Sequence, residues 1–155
     1  MLPIEQFHPL AVHFPIVFVL SLAALDIVAI IRGSQIGGRG AVANLSAGLA
    51  ALAGLAATVA YIFGDIAFDI AIAAGTPIAQ LELHEELGTA TTIAIGVWAI
   101  IRVGAWLRRV PLAGGRAAGI AVIEIGIAGL IITTAYFGGQ LVYEFGVGVL
   151  RSAGG

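Results

Sequence analysis

Three histidines are the residues of this chain best suited to hold a cofactor or a metal ion: His8, His13 and His84. Imidazole is the commonest metal-binding side chain in proteins, and it also ligates heme iron. The same three histidines, completed by a carboxylate such as Asp65 or Glu85, would suit a zinc or copper ion. Two chemistries therefore stay open, a heme and a simple metal site.

A second group of polar residues, Asp26, Arg102 and Glu124, is embedded in apolar sequence. Charges in such surroundings are costly unless they are paired. We therefore expect the three to form a structural ion-pair network, with a proton relay as the alternative.

The composition indicates how these residues are positioned. Of the 155 residues, 60% are hydrophobic and only 10% are charged, whereas soluble domains have about 25% charged residues. Four apolar stretches approach or exceed the roughly 20 residues that a bilayer core requires. The sequence predicts an all-α, polytopic membrane protein, a single four-helix transmembrane domain over residues 1–155. The predicted spans are about 10–31, 41–63, 83–107 and 117–142, and Asp65 and Asp69 fall either on a short interfacial helix or on an extension of the second span.

The arginines predict the orientation. Six of the seven lie in or next to the connections between spans 1 and 2 and between spans 3 and 4, and only Arg151 lies at the opposite end. By the positive-inside rule, these connections are cytoplasmic and both termini are outside. The first ten residues contain no Lys or Arg, so we expect span 1 to be an uncleaved helix. The six arginines are Arg32, Arg39, Arg102, Arg108, Arg109 and Arg116.

This topology brings all three histidines to the outer end of the bundle, together with Tyr61, Gly138, Gly139 and Tyr143. Small residues follow His84 along one helical face: Gly88, Thr91, Thr92 and Gly96. Such a stripe allows close helix packing, or it leaves a slot for a flat cofactor such as b-type heme. We expect His13 and His84 to be the ligand pair, because His8 precedes Pro9 at the membrane edge.

Several classes of function are excluded. The absence of cysteine removes disulfides, cysteine-ligated zinc, iron–sulfur clusters and thiol catalysis. A net charge of −2 provides no basic surface for nucleic acid. No Ser-His-Asp set is evident. We therefore assign no catalytic residue and expect an electron-transfer or accessory subunit rather than a stand-alone enzyme.

The run from His8 to Ile16, His-Pro-Leu-Ala-Val-His-Phe-Pro-Ile, resembles the signature of a family of bacterial four-helix membrane proteins, the domain of unknown function 2231. The resemblance extends to His84, Glu85 and Gly88, and to the glycine-containing run 138–148. Members of this family occur beside or fused to cytochrome c domains, which implies electron transfer at the outer face of the bacterial inner membrane. The resemblance implies His8, His13 and His84 as candidate ligands and Gly138, Gly139 and Tyr143 as pocket-forming residues.

We therefore expect a b-type cytochrome-like electron-transfer protein with a histidine-ligated heme b near the outer face. Besides the lipid bilayer, its expected partner is an outer-face cytochrome c or a larger respiratory complex, and self-association into a homo-oligomer is left open. The alternative is a non-redox accessory membrane subunit whose histidines bind a copper or zinc ion or are structural.

Overall fold

The computed structural model of the protein describes residues 3–149, and within this range it contains helices and turns but no strand. A single 3-10 turn, Ile4–Gln6, precedes the helices. Four helical segments are long and apolar enough to cross a membrane, so the prediction of an all-α polytopic fold is confirmed. The helices are α1 (Phe7–Ala11), α2 (His13–Ile31), α3 (Ala41–Ala73), α4 (Ile78–Leu107) and α5 (Gly114–Tyr143).

The helices extend beyond the predicted spans. The segment that contains Asp65 and Asp69 extends the second span, since α3 continues to Ala73 as one helix. No proline interrupts this alanine-rich run. The chain reverses at Gly75, whose φ of 90° is a conformation that glycine adopts without strain. The extended Pro77 then caps α4.

The first span is made of two helices, because the α-helix is interrupted at Val12 between α1 and α2. Pro15, in the first turn of α2, has no backbone N–H and so cannot donate to the carbonyl of Ala11. The 3-10 turn, α1 and α2 together form one apolar segment, Ile4–Ile31.

The spans form a closed ring in which each helix packs against the next and α2 also packs against α5. α2 and α4 are consequently diagonal to each other. The connections α2–α3 and α4–α5 meet at one end, where the N–H of Ile36 donates to the carbonyl of Leu112 at 3.2 Å. Arg39 lies over the Trp106 ring at the same end. We call it the arginine end; Arg151 lies outside the described residues.

The bundle core is built from small residues of α3 and larger ones of its neighbours. Where α3 packs against α4, a Cβ added to Gly54 would lie 2.8 Å from the Cβ of Ala99, so the small residues of α3 serve close helix packing. Trp98 is buried in this core with 8% exposure. The residues packed with it include Val19, Leu22, Ala50, Ala53, Ala57, Ile95, Ile127 and Ile131.

The outer surface of the bundle is apolar. Large side chains such as Leu55, Ile100 and Val122 are 67%, 74% and 68% exposed. Apolar exposure on this scale is expected of helices that face lipid, since lipid tails replace the water that would make it costly. The protein is thus a multi-pass membrane protein.

Candidate functional site

The imidazoles of His8 and His84 meet at the end of the bundle opposite the arginine end, which we call the histidine end. Their ring centres are 6.1 Å apart and the ring planes form an angle of 72°. Both side chains are half-buried. The two residues come from diagonal spans, so their rings meet across the bundle between the other two helices.

Each ring is held by a backbone carbonyl of a neighbouring helix. The Nδ1 atom of His8 lies 2.9 Å from the carbonyl oxygen of Ala60 in α3, and that of His84 lies 3.2 Å from the carbonyl oxygen of Thr134 in α5. A carbonyl oxygen only accepts hydrogen bonds, so each Nδ1 carries the proton and donates. In the neutral imidazole this leaves the Nε2 lone pair free to bind a metal, which is the arrangement that orients histidine ligands in metalloproteins.

A glycine lies against each imidazole, and both glycines are required by the close approach. A Cβ added to Gly64 would lie 2.9 Å from Cε1 of His8, and one added to Gly138 would lie 2.8 Å from Cε1 of His84. Each glycine lies four residues after the residue whose carbonyl accepts the hydrogen bond from the imidazole. Because a helical Cβ leans toward the N-terminus, a side chain at this position would cover that carbonyl.

A layer of threonine hydroxyls lies next to His84 and joins α4 to α5. The hydroxyls of Thr91 and Thr134 are 2.7 Å apart, and Thr134 also donates to the carbonyl of Leu130 at 3.0 Å. Thr91 is buried with 5% exposure. Thr134, whose carbonyl accepts the hydrogen bond from His84, is therefore held in place by its own hydroxyl group.

His13 does not join the pair, which corrects the expectation that it lies opposite His84. Its side chain is exposed, and its Nδ1 lies 2.7 Å from the carbonyl oxygen of Pro9, four residues earlier in its own segment. Val12 keeps a right-handed helical backbone between α1 and α2, so the five residues correspond to about 140° of rotation and place His8 and His13 on different sides of the first span.

The other residues predicted to line the pocket have mixed positions. Gly138 contacts His84, whereas Gly88 and Gly139 are half-buried with open space where a Cβ would be. Tyr61 and Tyr143 are 40% and 90% exposed, so neither encloses the histidine pair, contrary to expectation.

A preformed metal site of three or more ligands is absent from residues 3–149, where no such group of His, Asp or Glu side chains is found. The three histidines therefore do not gather around one point with Asp65 or Glu85. Both of these acids are exposed.

A charged cluster forms toward the arginine end from Asp26, Arg102 and Glu124, as the sequence predicts. Nη2 of Arg102 donates to Oδ2 of Asp26 at 2.5 Å, and Nε of Arg102 lies 3.5 Å from Oε1 of Glu124. Ser46 and Trp98 complete the cluster. All five side chains are buried.

Ser46 and Trp98 were not predicted to belong to this cluster. The Ser46 hydroxyl donates to Oδ2 of Asp26 at 3.0 Å and also contacts Arg102. The indole Nε1 of Trp98 donates to Oε1 of Glu124 at 3.2 Å. Trp98 lies four residues before Arg102, and this spacing places both on one helical face and could have revealed the contact.

Comparison with known proteins identifies the family. No curated protein and no solved structure matches the chain. A family model described as "Predicted membrane protein (DUF2231)" matches residues 5–151. This range includes His8, His84 and every member of the charged cluster. The protein therefore belongs to the DUF2231 family of predicted membrane proteins.

Proposed function

We propose that the protein is a membrane electron-transfer protein in which His8 and His84 hold a heme b at the histidine end. The observation that carries this proposal is the meeting of two imidazoles whose Nδ1 atoms are both committed to backbone carbonyls. Heme b would supply a one-electron redox couple when bound. The chain itself would supply two neutral nitrogen ligands and their orientation.

The approach of the two rings would let the chain supply two imidazole ligands to one bound group. The rings of His8 and His84 are 6.1 Å apart. Open space beside Gly88 and Gly139 provides room next to the pair on α4 and α5.

The hydrogen bonds of the pair would do more than hold the rings. Donation from Nδ1 to a carbonyl fixes the tautomer and raises the basicity of Nε2, which strengthens the bond to a metal. Because the carbonyls belong to Ala60 and Thr134 on two different helices, the ligand geometry would be set by the packing of the whole bundle. A rigid site of this kind keeps ligand rearrangement small when the charge of the metal changes.

We assign the arginine end to the cytoplasmic side, because short cytoplasmic connections are enriched in arginine and lysine. The histidine end would then face the outside of the bacterial inner membrane. A heme there would exchange electrons with a partner at the outer surface, a cytochrome c or a larger respiratory complex.

The alternative is a non-redox accessory subunit whose histidine pair binds copper or zinc or is only structural. The two histidine–carbonyl hydrogen bonds favour a structural contribution in any case, since they tie α1 to α3 and α4 to α5. Protein zinc sites use three or four protein ligands. Two histidines alone supply fewer ligands than a zinc site needs, whereas two imidazoles would suffice to hold a heme.

The test is the composition and absorption spectrum of the full-length protein, purified from a heme-replete host. The proposal predicts a Soret band and, on reduction, separate alpha and beta bands, with about one heme per chain. A colourless protein with stoichiometric copper or zinc would support the alternative metal site. A colourless protein without metal would support the structural role.

A further inference from the structure

The charged cluster contains two acids and one base. Asp26, Glu124 and Arg102 are 0%, 2% and 3% exposed. With both acids ionised, the cluster would carry a net charge of −1 inside an apolar bundle. An uncompensated charge within membrane-spanning helices is costly. A positive ion bound in the cluster would remove this cost.

The hydrogen bonds of the cluster use only one oxygen of each acid. Oδ1 of Asp26 and Oε2 of Glu124 are buried and have no hydrogen-bond partner. Buried polar atoms are almost always paired, so each exception requires an explanation. Here each acid has one satisfied oxygen and one oxygen without a donor.

Every helix around the cluster contributes a group, and Nε of Arg102 is a buried donor without a hydrogen-bond partner, although it lies 3.5 Å from Oε1 of Glu124. Arg102 and Ser46 donate to Oδ2 of Asp26, and Trp98 donates to Oε1 of Glu124. Both acids lie against the same guanidinium, with Asp26 at Nη2 and Glu124 at Nε of Arg102. The titratable groups that face the cluster come from α2, α4 and α5, while α3 contributes only the Ser46 hydroxyl.

We infer that the charged cluster is a proton-binding site that holds one hydrogen ion, carried by Glu124 and donated to Asp26. Glu124 is the protonated member because it is farther from the guanidinium, 3.5 Å against 2.5 Å for Asp26. One proton supplies the donor that both unpartnered oxygens lack. It also leaves the cluster neutral, with Asp26 and Arg102 as the ion pair. The inference is independent of any heme at the histidine end.

Charge neutrality predicts the number of bound protons in each variant. The native cluster needs one bound proton to be neutral. Asp26→Asn or Glu124→Gln removes one acid, so the remaining acid pairs with Arg102 and the count falls to zero. Arg102→Gln removes the cation, so the count rises to two. Glu86→Gln, at an exposed position on the same helix as Arg102, makes the same chemical change outside the cluster.

Infrared spectroscopy of the full-length protein in bilayers at neutral pH measures this count. A protonated carboxyl gives a carbonyl stretch that is distinct from that of a carboxylate and that shifts in deuterium oxide. We expect this band in the native protein and in Glu86→Gln, its loss in both Asp26→Asn and Glu124→Gln, and twice its intensity in Arg102→Gln. The two amide variants keep the cluster neutral and nearly unchanged in shape, so they test the inference even if Arg102→Gln does not fold.

A native protein without the band would overturn the inference, and so would a band that persists in either amide variant. The spectra are recorded in sodium-containing and sodium-free buffer. If a sodium ion neutralises the cluster instead of a proton, the native band is absent when sodium is present, which also counts against the inference.

Discussion

His84 and Arg102 lie eighteen residues apart on α4, which corresponds to about 27 Å along the helix axis. Their partners, His8 and Asp26, are separated by the same eighteen residues on the first span. These two spans are diagonal and run in the same direction. The equal spacing therefore places His8 beside His84 at one depth and Asp26 beside Arg102 at another. The histidine pair and the charged cluster therefore fix the same two helices near opposite ends of the bundle.

The two glycines that contact the imidazoles give the first prediction. Gly64→Ala and Gly138→Ala each place a methyl group within 2.9 Å of a ring atom, so we expect both to displace the ring and lower heme content severalfold. Gly48→Ala in α3 and Gly126→Ala in α5 are the matched controls, since nothing lies near their Cβ positions and neither glycine contacts a histidine. Pyridine hemochrome content per chain is the measurement. Equal heme content in all four variants would contradict the site as described.

The ion pair gives a prediction for stability. Arg102→Leu removes the cation that pairs with Asp26 and leaves buried acids without it, which typically costs about 3–5 kcal/mol. Replacing Asp26 and Glu124 by leucine as well should recover much of this loss, because an apolar set of similar volume needs no counter-ion. Unfolding in mixed micelles measures both changes. A triple variant no more stable than Arg102→Leu alone would disagree with this account.

Ser46 provides a narrower test of the same cluster. Its hydroxyl donates to a buried carboxylate, and hydrogen bonds to charged groups contribute about 1.5–3 kcal/mol. Ser46→Ala should therefore lower the free energy of unfolding by about that amount. Ser21→Ala, at an exposed position on α2, should change it by less than about 0.5 kcal/mol. Similar effects of the two substitutions would show that Ser46 is a packing residue only.

The orientation can be tested with single cysteines, since the chain has none of its own. Ser34 lies in the exposed α2–α3 connection at the arginine end, and Ala74 is exposed where α3 ends at the histidine end. We expect Ala74→Cys to react with a membrane-impermeant thiol reagent in intact cells and Ser34→Cys to react only after lysis. The reverse pattern would move the histidine pair to the cytoplasmic side.

The charged cluster was largely predictable from the sequence, whereas the histidine pair was only half predictable. Asp26, Arg102 and Glu124 stand out because charges in apolar spans must find partners. His84 was identified correctly as a member of the pair, but His13 was preferred to His8. His13 was preferred because it lies farther from the membrane edge than His8. The direction of each side chain around the helix, and not its depth, decides which histidine faces the bundle axis.

Backbone contacts explain most of what the sequence did not reveal. The carbonyls of Ala60 and Thr134 cannot be recognised from the sequence, because every residue has a backbone carbonyl. In the sequence, these histidine–carbonyl contacts are indicated only by the nearby glycines, Gly64 and Gly138. Glycine is too common in this chain, with 22 residues, to mark a site by itself. The role of Trp98 was missed because tryptophan in a membrane protein is usually interfacial.

The measurement that tests the central claim most directly is the heme content of His8→Ala, His84→Ala and His13→Ala, each purified from heme-replete cells beside the native protein. The three substitutions are chemically identical, but only His8 and His84 contact each other. We predict that the first two variants lose the bound heme and that His13→Ala retains it. Full heme content in His8→Ala or in His84→Ala, or a native protein that binds no heme, would contradict the proposed ligand pair.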